Sequence, residues 1–143
     1  NTKTLRHCIM TNIFQTSLEN GKQAAKDVTE NRAQVKEVLE QLKLVLDSLT
    51  ESEGQTRITR EYRDLLQQKP TGYMNLSYFV PSVKKSMSVF RFKQDESGYP
   101  FIIDHQHDNI FCENKEALIR CISRILEDGQ LVLKAEAFKA SLR

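Results

Sequence analysis

From Leu5 to Leu49 apolar side chains recur at helical spacing. Phe14, Gly21, Val28, Val35, Leu42 and Leu49 share one position of a seven-residue frame. Ala24, Val38 and Val45 fall three residues on, and Leu18, Ala25, Leu39 and Leu46 fall four on. The stripe is three positions wide, broader than the two-position seam of a plain two-stranded coiled coil. It predicts an N-terminal helical hairpin or coiled-coil-like region. A single helix of this length would span roughly 65 Å at 1.5 Å per residue. That exceeds the width of a compact domain built from such a chain. Asn20-Gly21 interrupts the stripe and reads as a break or a close helix crossing. Asn31 and Arg32 place polar groups on the apolar side, either to fix register or simply wetted.

After Leu49 the segment 50–54 is polar, and Thr50 or Ser52 is suited to cap a new helix. Ile58, Tyr62, Leu65 and Leu66 then predict a second helix, which Lys69-Pro70-Thr71-Gly72 would stop. From Tyr73 the period changes to two. Met74, Leu76, Tyr78 and Val80 alternate with their neighbours, and Met87–Lys93 and Tyr99–Asp104 follow as strands around a Gly98 turn. Ile110-Phe111-Cys112 is a short fourth strand candidate. A helix starting near Asn114 buries Leu118, Cys121, Ile122 and Ile125 and ends at Asp128-Gly129. Leu131-Val132-Leu133 reads as extended, and Ala135–Leu142 as a final short helix. The expected class is α+β. A helical region (1–69) precedes a domain (73–143) with a small antiparallel sheet of three to four strands packed with C-terminal helices.

Charge changes the picture little. Lys and Arg number 21 and Asp and Glu 19, a net of +2, and each half of the chain carries about one positive charge. A protein whose affinity rests on phosphate contacts shows a stronger basic bias. The three cysteines are an odd number in a chain this long and form no disulfide framework. The expectation is an intracellular protein, cytoplasmic or nuclear. No apolar run approaches the ~20 residues of a membrane span.

The most chemically loaded stretch is Asp104-His105-Gln106-His107-Asp108. In an extended strand His105 and His107 face one side and suit a metal ion, with Cys112 as a third ligand. The plainer alternative is a polar turn between strands. Cys112 precedes a helix N-terminus, where a thiol pKa is lowered, so it is also a nucleophile candidate with His105 or His107 as base. Against this, a cysteine at a strand end is usually buried. The five glycines are isolated, and no phosphate loop, nucleophile elbow or paired C-x-x-C is present. Neither a cofactor nor an enzymatic function is expected.

Lys84, Lys85, Arg91 and Lys93 lie among Tyr73, Tyr78, Phe79, Phe90 and Phe92. A basic and aromatic sheet face of this kind suits single-stranded nucleic acid. The wide N-terminal stripe points elsewhere, to a protein–protein interaction or assembly module. On that reading the N-terminal helices oligomerise through Val28, Val35, Val38, Leu39, Leu42, Val45, Leu46 and Leu49, and the α+β domain docks a partner. Leu39 and Leu42 are the positions expected to matter most for association. A nucleic-acid-binding accessory role is the alternative.

Overall fold

The computed structural model describes residues 2–49 and 54–142. The capping roles expected of Thr50 and Ser52 lie outside them. The first element, α1, is one unbroken helix over Thr2–Asp47. It contains no proline and a single glycine, whose cost of about 1 kcal/mol a helix this long absorbs. A Cβ added at Gly21 would meet nothing within 4 Å, so Asn20-Gly21 is neither a break nor a close crossing.

Five strands follow: β1 (Gln55–Tyr62), β2 (Pro70–Val80), β3 (Lys85–Gln94), β4 (Phe101–His105) and β5 (Asp108–Cys112). They form one antiparallel meander in the order β1-β2-β3-β4-β5. The sheet therefore has five strands rather than three to four. The additional strand is β1, where a second helix was expected. Its sequence, Gln-Thr-Arg-Ile-Thr-Arg-Glu-Tyr, is rich in residues that fit a pleated surface. Ile58 pairs with Leu76 on the core side, while Arg57 pairs with Ser77 on the other. The Ile58–Tyr62–Leu65 spacing only imitates a helix, since Leu65 and Leu66 lie exposed in the β1–β2 loop. The Asp64 carboxylate closes that loop by accepting from the backbone N–H of Gln68 and Lys69, both at 3.0 Å. Pro70 opens β2 instead of stopping a helix. As first residue of a strand it forfeits little of the ladder.

Two helices complete the chain, α2 (Lys115–Glu127) and α3 (Gln130–Ser141). The Asn114 side chain caps α2 by accepting from the Ala117 N–H at 2.8 Å. The expected stripe Leu118, Cys121, Ile122 and Ile125 is buried. Gly129, at φ +83°, turns the chain sharply between the helices. α3 begins at once, so Leu131-Val132-Leu133 is helical rather than extended, with only Leu131 buried.

One core joins these elements. Leu76, Tyr78, Phe90, Phe92, Phe101 and Ile103 line one sheet face, and Val35, Leu39, Leu42 and Leu46 of α1 meet them together with the α2 and α3 stripes. A register shift between Leu76 and Ser77 leaves Val89 of β3 without an opposite residue. This bulge keeps both Val89 and Phe90 buried. The Phe92 and Phe101 rings stack at 4.7 Å at the sheet centre.

Candidate functional site

The C-terminal half of α1 belongs to the domain. Polar ties fix it there. Thr56 donates to the Asp47 carboxylate from both its N–H and its hydroxyl, and Tyr99 donates its hydroxyl to Gln34 at 3.0 Å. Lys115 pairs with Glu37 at 3.3 Å, and Arg32 Nε donates to the Glu96 carbonyl at 2.5 Å. Asn31 and Arg32 thus receive the β3–β4 turn, which explains polar groups on the otherwise apolar side. Of the eight residues expected to bind a partner, Val35, Leu39, Leu42 and Leu46 are buried in the chain's own core. Val38 and Leu49 pack at its rim, Val28 is half-buried, and Val45 is exposed. A side chain that is 1–7% accessible presents little to a partner.

The N-terminal half differs. Every residue from Thr2 to Asp27 is exposed, a stretch of about 40 Å at 1.5 Å per residue. It carries Leu5, Ile9, Met10, Ile13, Phe14 and Leu18, each 52–63% exposed. At ~100° per residue Met10, Ile13, Phe14, Ala24 and Val28 lie within about 60° of the side that Val35, Leu39, Leu42 and Leu46 bury lower down. The same helical face is therefore covered over its last turns and bare over its first ones. Contiguous exposed apolar surface of this kind marks an interaction site more often than a scattered leucine does.

The basic residues on the sheet do not form one surface. On the face turned away from the core, Arg91 lies between Glu61 and Asp104, with ion-pair distances of 3.1 Å to each. Its guanidinium also stacks 4.0 Å from the Tyr73 ring centroid, and Lys93 approaches the same ring at 4.2 Å. The Arg91 Nε reaches Glu61 off-axis, so that contact is coulombic rather than a hydrogen bond. Lys85 donates to the Ser141 carbonyl of α3, and Lys84 occupies the β2–β3 turn at φ +53°. A charge already neutralised by two carboxylates offers little to a phosphate backbone.

The histidines do not converge. β4 ends at His105, and Gln106 and His107 form a two-residue turn with φ of +51° and +68° before Asp108 starts β5. That turn ends the extended geometry that would have put both imidazoles on one side. His105 Nε2 instead lies 3.5 Å from Asp128 Oδ2 at the end of α2. Among the described residues no group of three His, Cys, Asp or Glu side chains is placed to hold a metal ion. Cys112 is buried at the end of β5. Hydrogen bonding with Cys121 and burial push its thiol far above the ordinary range. The helix that follows does not overcome them, so Cys112 is a core residue rather than an activated nucleophile.

Among the described residues no helix is long and apolar enough to cross a membrane. The sequence signal for the bare half of α1 was already present in Met10, which shares the heptad position of Ala24, Val38 and Val45, and in Leu5, Ile9 and Ile13, which sit outside the seven-residue frame. No family model, curated protein or solved structure matches this chain.

Proposed function

We propose that the protein is a non-enzymatic assembly module. The N-terminal half of α1 associates with a second helix, in the simplest case that of another copy, and the α+β domain docks a partner. One observation carries this reading: about half of a 46-residue helix extends past its own domain while keeping six large apolar side chains open to water. An isolated helix gains little from propensity alone, and most helical stability in proteins comes from packing an apolar face. Fully burying one such side chain is worth about 1.5–3 kcal/mol, so Met10, Ile13 and Phe14 together with the margins of Ile9 and Leu18 favour association against its entropic costs. The partner face is accordingly shifted towards the N-terminus, onto Met10, Ile13 and Phe14, with Ile9 and Leu18 at its margins, Val28 at its lower end and Leu5 turned away from it.

Removal of residues 1–27 tests the reading. At concentrations where the full chain is monomeric, the shortened chain is expected to unfold at nearly the same denaturant midpoint, because none of the described residues 2–27 is buried in the domain. It is also expected to lose association in light scattering. Association retained at full strength by the shortened chain would show that assembly lies elsewhere.

A further inference from the structure

The sheet has two edges, and they are managed differently. β1 carries Arg57, Arg60 and Glu61 and a register shift between Arg60 and Tyr62, devices that discourage further pairing. β5 carries Asn109-Ile110-Phe111 at its centre, pairs with β4 without a shift, and holds no proline. Its turn fixes which backbone groups are free. In a two-residue turn with both φ positive, the flanking residues His105 and Asp108 exchange hydrogen bonds. Alternation then directs Ile110 and Cys112 towards β4, and the N–H and C=O of Asn109 and Phe111 outwards.

Beside this edge lies a groove of about 380 Å³ between β5 and α2. His105, Ile110, Phe111, Ala117, Arg120 and Arg124 line it. Phe111 is 59% exposed and Ile110 36%. Arg120 and Arg124 are exposed, and neither makes an ion pair among the described residues. A strand added to β5 would send alternate side chains over this groove.

We infer that the β5 edge is a docking site for an extended peptide that alternates apolar with acidic residues. The outward Asn109 and Phe111 groups give main-chain pairing, Ile110 and Ala117 receive the apolar side chains, and Arg120 and Arg124 select carboxylates. The inference rests on the docking half of the proposed function and is independent of the α1 half.

The test is fluorescence anisotropy on the full chain, using short labelled peptides that alternate Glu with Val or Ile. Lys-for-Glu peptides serve as the charge control. Saturable binding of the acidic peptides is expected, with the Lys series at least about tenfold weaker. Asn109→Pro removes an outward N–H that the β4 ladder does not use, so it is expected to abolish binding while the unfolding midpoint holds. Arg120→Glu with Arg124→Glu, both on an exposed helix face, is expected to reverse the peptide preference. Equal binding of the two series, no acidic binding up to millimolar concentration, or a β5 edge occupied by a second copy would each overturn the inference. The last outcome is read as a loss of mass in the Asn109→Pro variant. Failure of peptide binding alone leaves the α1 truncation result intact, so the two readings fail separately.

Discussion

Gly98 packs directly against the backbone of Asn31. A Cβ at position 98 would stand 2.7 Å from the Asn31 Cβ and 2.9 Å from its carbonyl carbon. Gly98 is also held at φ +100°, where L side chains are strained. This contact sets how closely the β3–β4 turn approaches α1, and so where the bare half of the helix begins.

Replacing Gly98 by Ala therefore meets two penalties at once, backbone strain and a clash with helix backbone. The expected loss is about 2–4 kcal/mol in urea unfolding. Gly129→Ala is the useful comparison. Gly129 has a similar φ, +83°, but open space around it. Its loss is expected to be about 1–2 kcal/mol, the strain alone. Equal losses at the two sites would mean that the turn is not pressed against α1.

Cysteine reactivity separates the core from the extension. Cys8 lies exposed on the bare half of α1, whereas Cys112 and Cys121 are buried. Mass spectrometry after brief alkylation is expected to show one modified thiol in the native protein, at Cys8, and three after denaturation. The raised thiol of Cys112 adds a pH effect. A group whose pKa is raised on folding contributes stability that is fully present below its unfolded value, near 9, and is eroded above it. Cys121 shifts the other way through the same hydrogen bond, so the folded pair gives up one proton where the unfolded chain gives up two. The unfolding midpoint is expected to decline from about pH 9 upward, and the Cys112→Ala/Cys121→Ala double variant to flatten that decline. A decline of the same steepness in the variant would place its origin in other groups.

From β3, Arg91 reaches Asp104 on the adjacent β4 and, across β2, Glu61 on β1. Its side chain is 40% exposed, so solvent screens both pairs. Arg91→Ala is expected to cost about 1 kcal/mol in low salt, and less when the salt is raised. A cost that does not change with salt would assign its role to packing on Tyr73 instead.

Much of the fold was legible because period and capping agree in the C-terminal part. Asn114 caps α2, its apolar stripe is buried as spaced, and Gly98 and Gly129 mark turns that require positive φ. β1 was not legible. Arg57–Glu61 and Arg60–Asp64 are spaced like helical ion pairs, yet pairing with β2 overrides that local signal. The stripe on α1 is helical as its spacing predicts, and four of the eight residues expected to meet a partner, Val35, Leu39, Leu42 and Leu46, are buried in the chain's own core. Nothing in the chain's own periodicity distinguishes Leu39 and Leu42, which meet the sheet, from Ile13 and Phe14, which meet water. Only the position of the sheet along the helix decides that, and it follows from long-range ties such as Tyr99 to Gln34. His105 and His107 are parted by a local detail, a turn of two positive-φ residues where an extended strand is expected from the sequence.

The two parts of α1 are expected to respond oppositely to substitution. Leu39→Ala removes a buried side chain and should cost about 2–4 kcal/mol of folding stability. Phe14→Asp removes an exposed one and, at concentrations where the chain is monomeric, should change stability by no more than about 0.5 kcal/mol. Circular dichroism of both variants through a urea titration checks the contrast. A folding defect at Phe14 as large as that at Leu39 would mean that the N-terminal half is covered within the same chain.

The central claim is that the bare half of α1 is buried by association. Sedimentation equilibrium of the full chain over a wide concentration range, beside the Ile13→Asp/Phe14→Asp variant, tests it most directly. The account predicts a mass that rises above 16.6 kDa with concentration for the natural sequence and stays at 16.6 kDa for the variant. A natural chain that remains at 16.6 kDa throughout, or a variant that associates as strongly as its parent, would contradict it.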